Sequence, residues 1–135
     1  KVSKDALKLM QVTCEALYVG IAAARVGNTV GDIGYAIQEF VRPYGYGIVR
    51  ELCGHGVGKK VHEEPSIPNY GKKGEGPVLE EGMVVAIEPM LNIGSPHVVF
   101  EDDGYTVRTK DGTLSAHFEH TLIITKDGPE IVTEV

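Results

Sequence analysis

Cys53-Gly54-His55-Gly56-Val57-Gly58-Lys59-Lys60-Val61-His62-Glu63-Glu64-Pro65 is the stretch on which the reading of this chain turns. It sets two histidines, two acids, three glycines and a proline in one short run. Glycine permits backbone shapes and close approaches that a Cβ forbids, so Gly54, Gly56 and Gly58 predict a loop pressed against a neighbour. Two imidazoles on such a loop are candidate metal ligands or proton carriers, and the stretch alone leaves both readings open.

Working outward, Gly47 to Leu52 reads as a short strand leading into the loop. Residues 66–82, with Pro68, Gly71, Gly74, Gly76, Pro77 and Gly82, are loop by composition. Met83 to Met90 alternates as a strand, with Val84, Ala86 and Glu88 on one face and Met83, Val85 and Ile87 on the other. Val98 to Phe100 and Tyr105 to Thr109 flank the Glu101-Asp102-Asp103-Gly104 turn as a hairpin. His117 to Thr125 is the most apolar strand, and Glu130 to Thr133 a short last one.

Helices come before all of these. Ser3 is a predicted N-cap, and Leu7, Met10, Cys14, Leu17 and Ile21 recur at three-and-four spacing, one apolar stripe that ends at Gly27-Asn28. Thr29 with Asp32 resembles a capping box. Ile33, Ile37, Phe40, Val41 and Tyr44 then stripe a second helix whose last turn Pro43 loosens before Gly45. Both stripes are expected to face the core. Helices first and strands afterwards favour an α+β fold with an antiparallel sheet over a βαβ fold.

Composition narrows the function. With 135 residues the chain is long enough for one domain with a core of its own. A formal charge of −6 argues against direct nucleic-acid binding. No apolar run approaches the roughly 20 residues of a bilayer span, so no membrane is expected. Cys14 and Cys53 make no disulfide framework, which points to a reducing cytoplasm. The first residue is Lys1, directly before a helix signal, and the chain is expected to be a piece of a longer protein.

Two acids stand out. Glu88 lies in Val84-Val85-Ala86-Ile87-Glu88-Pro89-Met90, and Glu119 in His117-Phe118-Glu119-His120-Thr121-Leu122. Each is either on an edge strand with that face in water, as Pro89 favours for the first, or buried against a partner or metal. Together with a histidine-bearing glycine loop, two such acids favour a metal site, and carboxylate with imidazole suits Mn, Fe, Co or Zn. His62-Glu63-Glu64 is not a zinc-protease helix: the position four after His62 is Ser66, beyond Pro65.

Gly54-His55-Gly56-Val57-Gly58, Val61-His62-Glu63-Glu64-Pro65, Ile87-Glu88-Pro89-Met90 and Phe118-Glu119-His120-Thr121, in this order, resemble the C-terminal half of the type I methionine aminopeptidases. The resemblance runs through essentially the whole chain, and Ile67-Pro68-Asn69-Tyr70 is closer to these enzymes than to their prolidase and aminopeptidase P relatives. It implies half of a pita-bread (creatinase/aminopeptidase) fold over residues 1–135, two N-terminal helices packed on a curved, mainly antiparallel sheet. It further implies a dinuclear centre of Co, Mn, Fe or Zn. His55 would ligate one metal, Glu88 would ligate and shuttle a proton, and Glu119 would bridge both. His62 would hydrogen-bond the substrate carbonyl, and Val61 and Tyr105 would line the methionine pocket, where many relatives carry larger aromatics. Such a metal pair activates water and polarises the scissile carbonyl.

The same resemblance sets two aspartate ligands upstream of Lys1, in a missing N-terminal half of the fold, so the chain alone is expected to be a poor enzyme. Its substrate would be the N-terminal Met of peptides and nascent proteins, in the cytoplasm and near the ribosome. Two rival readings are a non-catalytic pita-bread binding module and a proline-directed peptidase of the same fold. The first is disfavoured because His55, Glu88, Glu119 and His62 are all intact. His97, His117 and His120 are expected to be surface or packing residues, and Asp102 and Asp103 turn residues.

Overall fold

The computed structural model describes residues 1–134. Helix α1 (Lys4–Ala23) begins as predicted: the Ser3 side chain accepts the Ala6 amide at 3.1 Å, satisfying one of the first-turn donors. Its buried face is Leu9, Val12, Thr13, Ala16, Leu17, Gly20 and Ile21, whereas Leu7 and Met10 of the predicted stripe are exposed. Both sets keep helical spacing, and the face that packs is the one with small residues. A Cβ on Gly20 would stand 2.7 Å from Ile37 Cδ1, so a glycine there lets the two helices approach. By length and composition alone α1 is long and apolar enough to cross a membrane, contrary to the expectation from apolar runs. Here it is a core helix, with one face buried against helix α2 and the sheets.

Helix α2 (Val30–Val41) carries the complete capping box: Thr29 N–H donates to Asp32 Oδ2 at 2.7 Å, and Asp32 N–H to Thr29 Oγ1 at 3.3 Å. Ile33, Ile37 and Val41 are fully buried, and Phe40 and Tyr44 pack at the core's edge, as the stripe predicted. Pro43 falls in a 3-10 turn, Arg42–Tyr44, that closes on Gly45 at φ +67°.

Every strand pairing that follows is antiparallel. A five-stranded sheet runs β10 (Gly128–Ile131), β9 (His120–Thr125), β4 (Val84–Ile87), β2 (Gly54–Gly56) and β3 (Glu63–Ile67). A three-stranded sheet runs β1 (Gly47–Ile48), β5 (Met90–Asn92) and β8 (Ser115–His117). β6 (Val98–Phe100) and β7 (Val107–Thr109) form the predicted hairpin on their own. The fold is α+β, with the helices packed on mostly antiparallel sheets and a core of Val12, Leu17, Ile37, Val85, Ile87, Leu122 and Ile124 among others.

Several boundaries differ from expectation. The strand expected over 47–52 is only β1, and the last strand lies at 128–131 rather than 130–133. The glycine loop is instead a strand, β2, set between β3 and β4. The close approach was foreseen: a Cβ on Gly54 would run into the Ala86 carbonyl oxygen, and one on Gly56 into that of Glu64. β3 was expected to be loop. It contains Pro65, which an edge strand tolerates because a donor is unused on its open side. The strands expected at 83–90 and 117–125 are each interrupted, at 88–89 and at 118–119, and those breaks make the site.

Candidate metal centre

The chain leaves β4 at Ile87, passes Glu88-Pro89, and enters β5 at Met90 in the other sheet. Its partner leaves β8 at His117, passes Phe118-Glu119, and enters β9 at His120. Ile87 pairs with His120 and Met90 with His117, so one antiparallel register runs through both breaks and sets Glu88 opposite Glu119. Pro89 has no N–H to give a ladder, and its carbonyl accepts a single long bond from Phe118 N–H at 3.4 Å. Pro89 therefore marks a passage between sheets. β4 is interior, between β9 and β2, and the edge-strand reading of Glu88 does not hold.

Like charges opposed across a ribbon destabilise it unless something of opposite sign joins them. β2, the next strand over, supplies the third group: His55 pairs with Ala86. One donor atom from each of His55, Glu88 and Glu119 lies within 4.8 Å of the others, a group able to hold a metal ion. The imidazole is oriented from behind. His55 Nδ1 lies 2.8 Å from the Gly56 carbonyl oxygen, which can only accept, so Nδ1 carries the proton. The lone pair of Nε2 then faces Glu88 Oε1 at 3.3 Å. Two acceptors aimed at one another are favourable only with a cation or a proton between them, and one nitrogen with two carboxylates is a donor set for a transition-metal dication.

Glu88 is held at both ends. The side-chain amide of the fully buried Asn69 donates to its backbone carbonyl at 3.1 Å. The His117 ring meets its second carboxylate oxygen, Oε2, at 3.2 Å. Sequence reasoning missed both residues and expected His117 to be a surface or packing residue. The signal was present: His117 shares the strand face of Glu119 by its period of two, and the register brings it to Glu88. That register is a long-range fact which strand periodicity alone does not provide.

His62 sits against the cluster, its ring centroid 4.2 Å from that of His55 in an edge-on arrangement, and it is exposed. Val61 and Tyr105 are 73% and 92% exposed, so the described residues do not close a pocket around either. A cavity of about 460 Å³ beside Arg42, Tyr46 and Arg50 is lined by none of the predicted site residues. The donors stand on an open face instead. The remaining candidates behave as expected. His97 pairs with Glu51 at 3.6 Å, and His120 meets Tyr18 and Thr133. Asp102 and Asp103 lie in the hairpin turn. There the Thr106 hydroxyl and the amides of Thr106 and Tyr105 hold the Asp103 carboxyl below its ordinary range.

An antiparallel α+β half with a His/Glu/Glu donor group on its open face has the pita-bread fold of metallopeptidases. Residues 1–126 match metallopeptidase family M24, and the chain belongs to that family. It is 53% identical over 139 residues to the methionine aminopeptidase of Aquifex aeolicus, covering 100% of this chain and 53% of that protein. The crystal structure of methionine aminopeptidase from Rickettsia prowazekii superposes with a TM-score of 0.96 at 47% identity, over 99% of this chain and 54% of that one. The prolidase of Pyrococcus horikoshii shares the fold at a TM-score of 0.75 and 26% identity, over 100% of this chain and 33% of that one. The chain thus spans about half the length of the curated relatives it matches.

Proposed function

We propose that residues 1–135 form one wall of a divalent-metal active site in an aminopeptidase that removes N-terminal methionine from peptides and nascent proteins. The observation that carries this reading is the convergence of His55, Glu88 and Glu119, oriented by the Gly56 carbonyl. His55, Glu88 and Glu119 would together hold divalent metal, with two further aspartate ligands supplied from outside residues 1–135, in the complementary half of the fold. When bound, Mn, Co, Fe or Zn supplies the Lewis acidity that activates water and polarises the scissile carbonyl.

The chain's own groups do the rest. Glu88 would take a proton from the attacking water and return it to the departing amine. His62, exposed beside His55, donates to the substrate carbonyl oxygen and stabilises the charge that gathers there. Val61 and Tyr105 contribute apolar surface to the methionine side chain. The identities above 45% with methionine aminopeptidases, against 26% with the prolidase, favour methionine over proline specificity. Both cysteines are free, which accords with a cytoplasmic setting.

The test is release of methionine from a Met-Ala-Ser peptide with Mn, Co or Fe, by the isolated chain and by the chain together with the complementary half of a close relative. Metal-dependent turnover only in the combined preparation, lost in Glu119→Ala, is the expected result. Equal turnover by the isolated chain would remove the need for outside ligands, and cleavage of X-Pro peptides alone would reassign the specificity.

A further inference from the structure

The two oxygens of Glu88 are used differently. Oε1 faces Nε2 of His55 at 3.3 Å, the side of the proposed ion. Oε2 meets His117 Nε2 at 3.2 Å. A carboxylate oxygen accepts, so this contact is a hydrogen bond only if His117 carries its proton on Nε2, the opposite tautomer to His55. His117 is fixed there by backbone rather than by chance: it closes β8 opposite Met90, across the break from Glu88. The carboxylate side chain is only 13% exposed while the imidazole is 46% exposed, so the bond is shielded at the acceptor and open at the donor.

We propose that His117 is a positioning residue for Glu88. Its Nε2–H anchors Oε2, fixes the carboxylate rotation, and leaves Oε1 alone to serve the ion shared with His55. Asn69 pins the Glu88 backbone and His117 its side chain, so the least constrained part of the ligand, its terminal torsion, is removed as a degree of freedom. Hydrogen-bonded partners of this kind change metal affinity by about 10- to 100-fold when removed. The proposal rests on the metal reading above, and the experiments separate the two.

The first measurement needs no metal. Long-range ¹H–¹⁵N correlation spectra of the histidine rings should show the proton on Nε2 of His117 and on Nδ1 of His55. A bare Nε2 on His117 overturns the proposal whatever the metal does. The second is calorimetric titration with Mn(II) of the chain combined with the complementary half of a close relative, for wild type, His117→Ala, His117→Leu and His117→Gln. Affinity should fall about 10-fold or more in the Ala and Leu variants. The Gln variant, which retains a side-chain N–H donor, should stay within about threefold of wild type by the same reasoning. Exposure of the ring leaves thermal midpoints nearly unchanged, and if His117→Ala does not fold, the Leu and Gln pair decides. Wild-type affinity in the Ala and Leu variants, or a Gln variant as weak as Leu, overturns the positioning role. A wild type that binds no Mn(II) overturns the metal reading, and the ring spectra then decide the His117–Glu88 bond alone.

Discussion

Ile87 and Glu88 are neighbours in the chain and belong to two different regimes. Ile87 is fully buried with Ile37, Leu122 and Ile124 in a core that the described residues close by themselves. One peptide further on, Glu88 faces a cluster that opens to solvent: His55 is half-buried, and Glu119 and His62 are exposed. The core is held by side-chain packing, which is non-directional and sensitive to volume. The donor cluster is held by backbone register, with few side-chain contacts of its own. Stability and chemistry should therefore separate under mutation, although the same strands, β4 and β9, serve both.

The largest effect should fall on the open side. Glu119→Ala should abolish Mn(II) binding, read by calorimetry, while the unfolding midpoint holds or rises as the carboxylate opposed to Glu88 is removed. A fall in stability comparable to that of a core variant would show that the two regimes are coupled. Ile37→Ala is the converse. Deleting a fully buried side chain against Gly20 should cost about 2–5 kcal/mol in urea denaturation, with Mn(II) affinity of the folded fraction unchanged.

The smallest effect is expected at the α2 cap, which touches neither region. Thr29→Ala should cost about 1 kcal/mol at pH 7. The Thr29 amide, with the Gly74 amide and the Thr29 hydroxyl, holds the Asp32 carboxyl below its usual value. A depressed folded-state pKa stabilises above the unfolded value near 3.9 and ceases to do so as pH falls through the folded one. Denaturation of Asp32→Asn should accordingly differ from wild type at pH 7 and converge with it at a pH low enough to protonate the folded-state carboxylate. A difference that persists at that pH would locate the cap's contribution elsewhere than in the charge.

Local chemistry was legible throughout. Ser3, Thr29-Asp32 and Pro43-Gly45 each satisfy or terminate backbone within a few residues, so neighbours in sequence suffice to read them. The α1 stripe was half right: Leu17 and Ile21 are buried, whereas Leu7 and Met10, at the same spacing, are exposed. Leu7 and Met10 are larger than Ala16 and Gly20, yet close approach of α2 selects the small residues. The single-strand readings of 83–90 and 117–125 failed for another reason. Alternation continues through Glu88-Pro89 and Phe118-Glu119, and only pairing shows that the ribbon changes sheets there.

What the sequence by itself determined is the set of candidate groups: His55, Glu88 and Glu119 as possible donors and His62 beside them, singled out by two acids in apolar runs with a histidine-bearing glycine stretch and given roles by the resemblance. The fold class followed from the order of its periods. The tertiary structure decided their relation. Register through the two breaks sets Glu88 opposite Glu119, β2 lays His55 beside them, and β8 brings His117 to the second oxygen of Glu88. Periodicity fixes which face a side chain takes. Which strand lies across from it depends on contacts between residues far apart in sequence, and those exist only once the chain has folded.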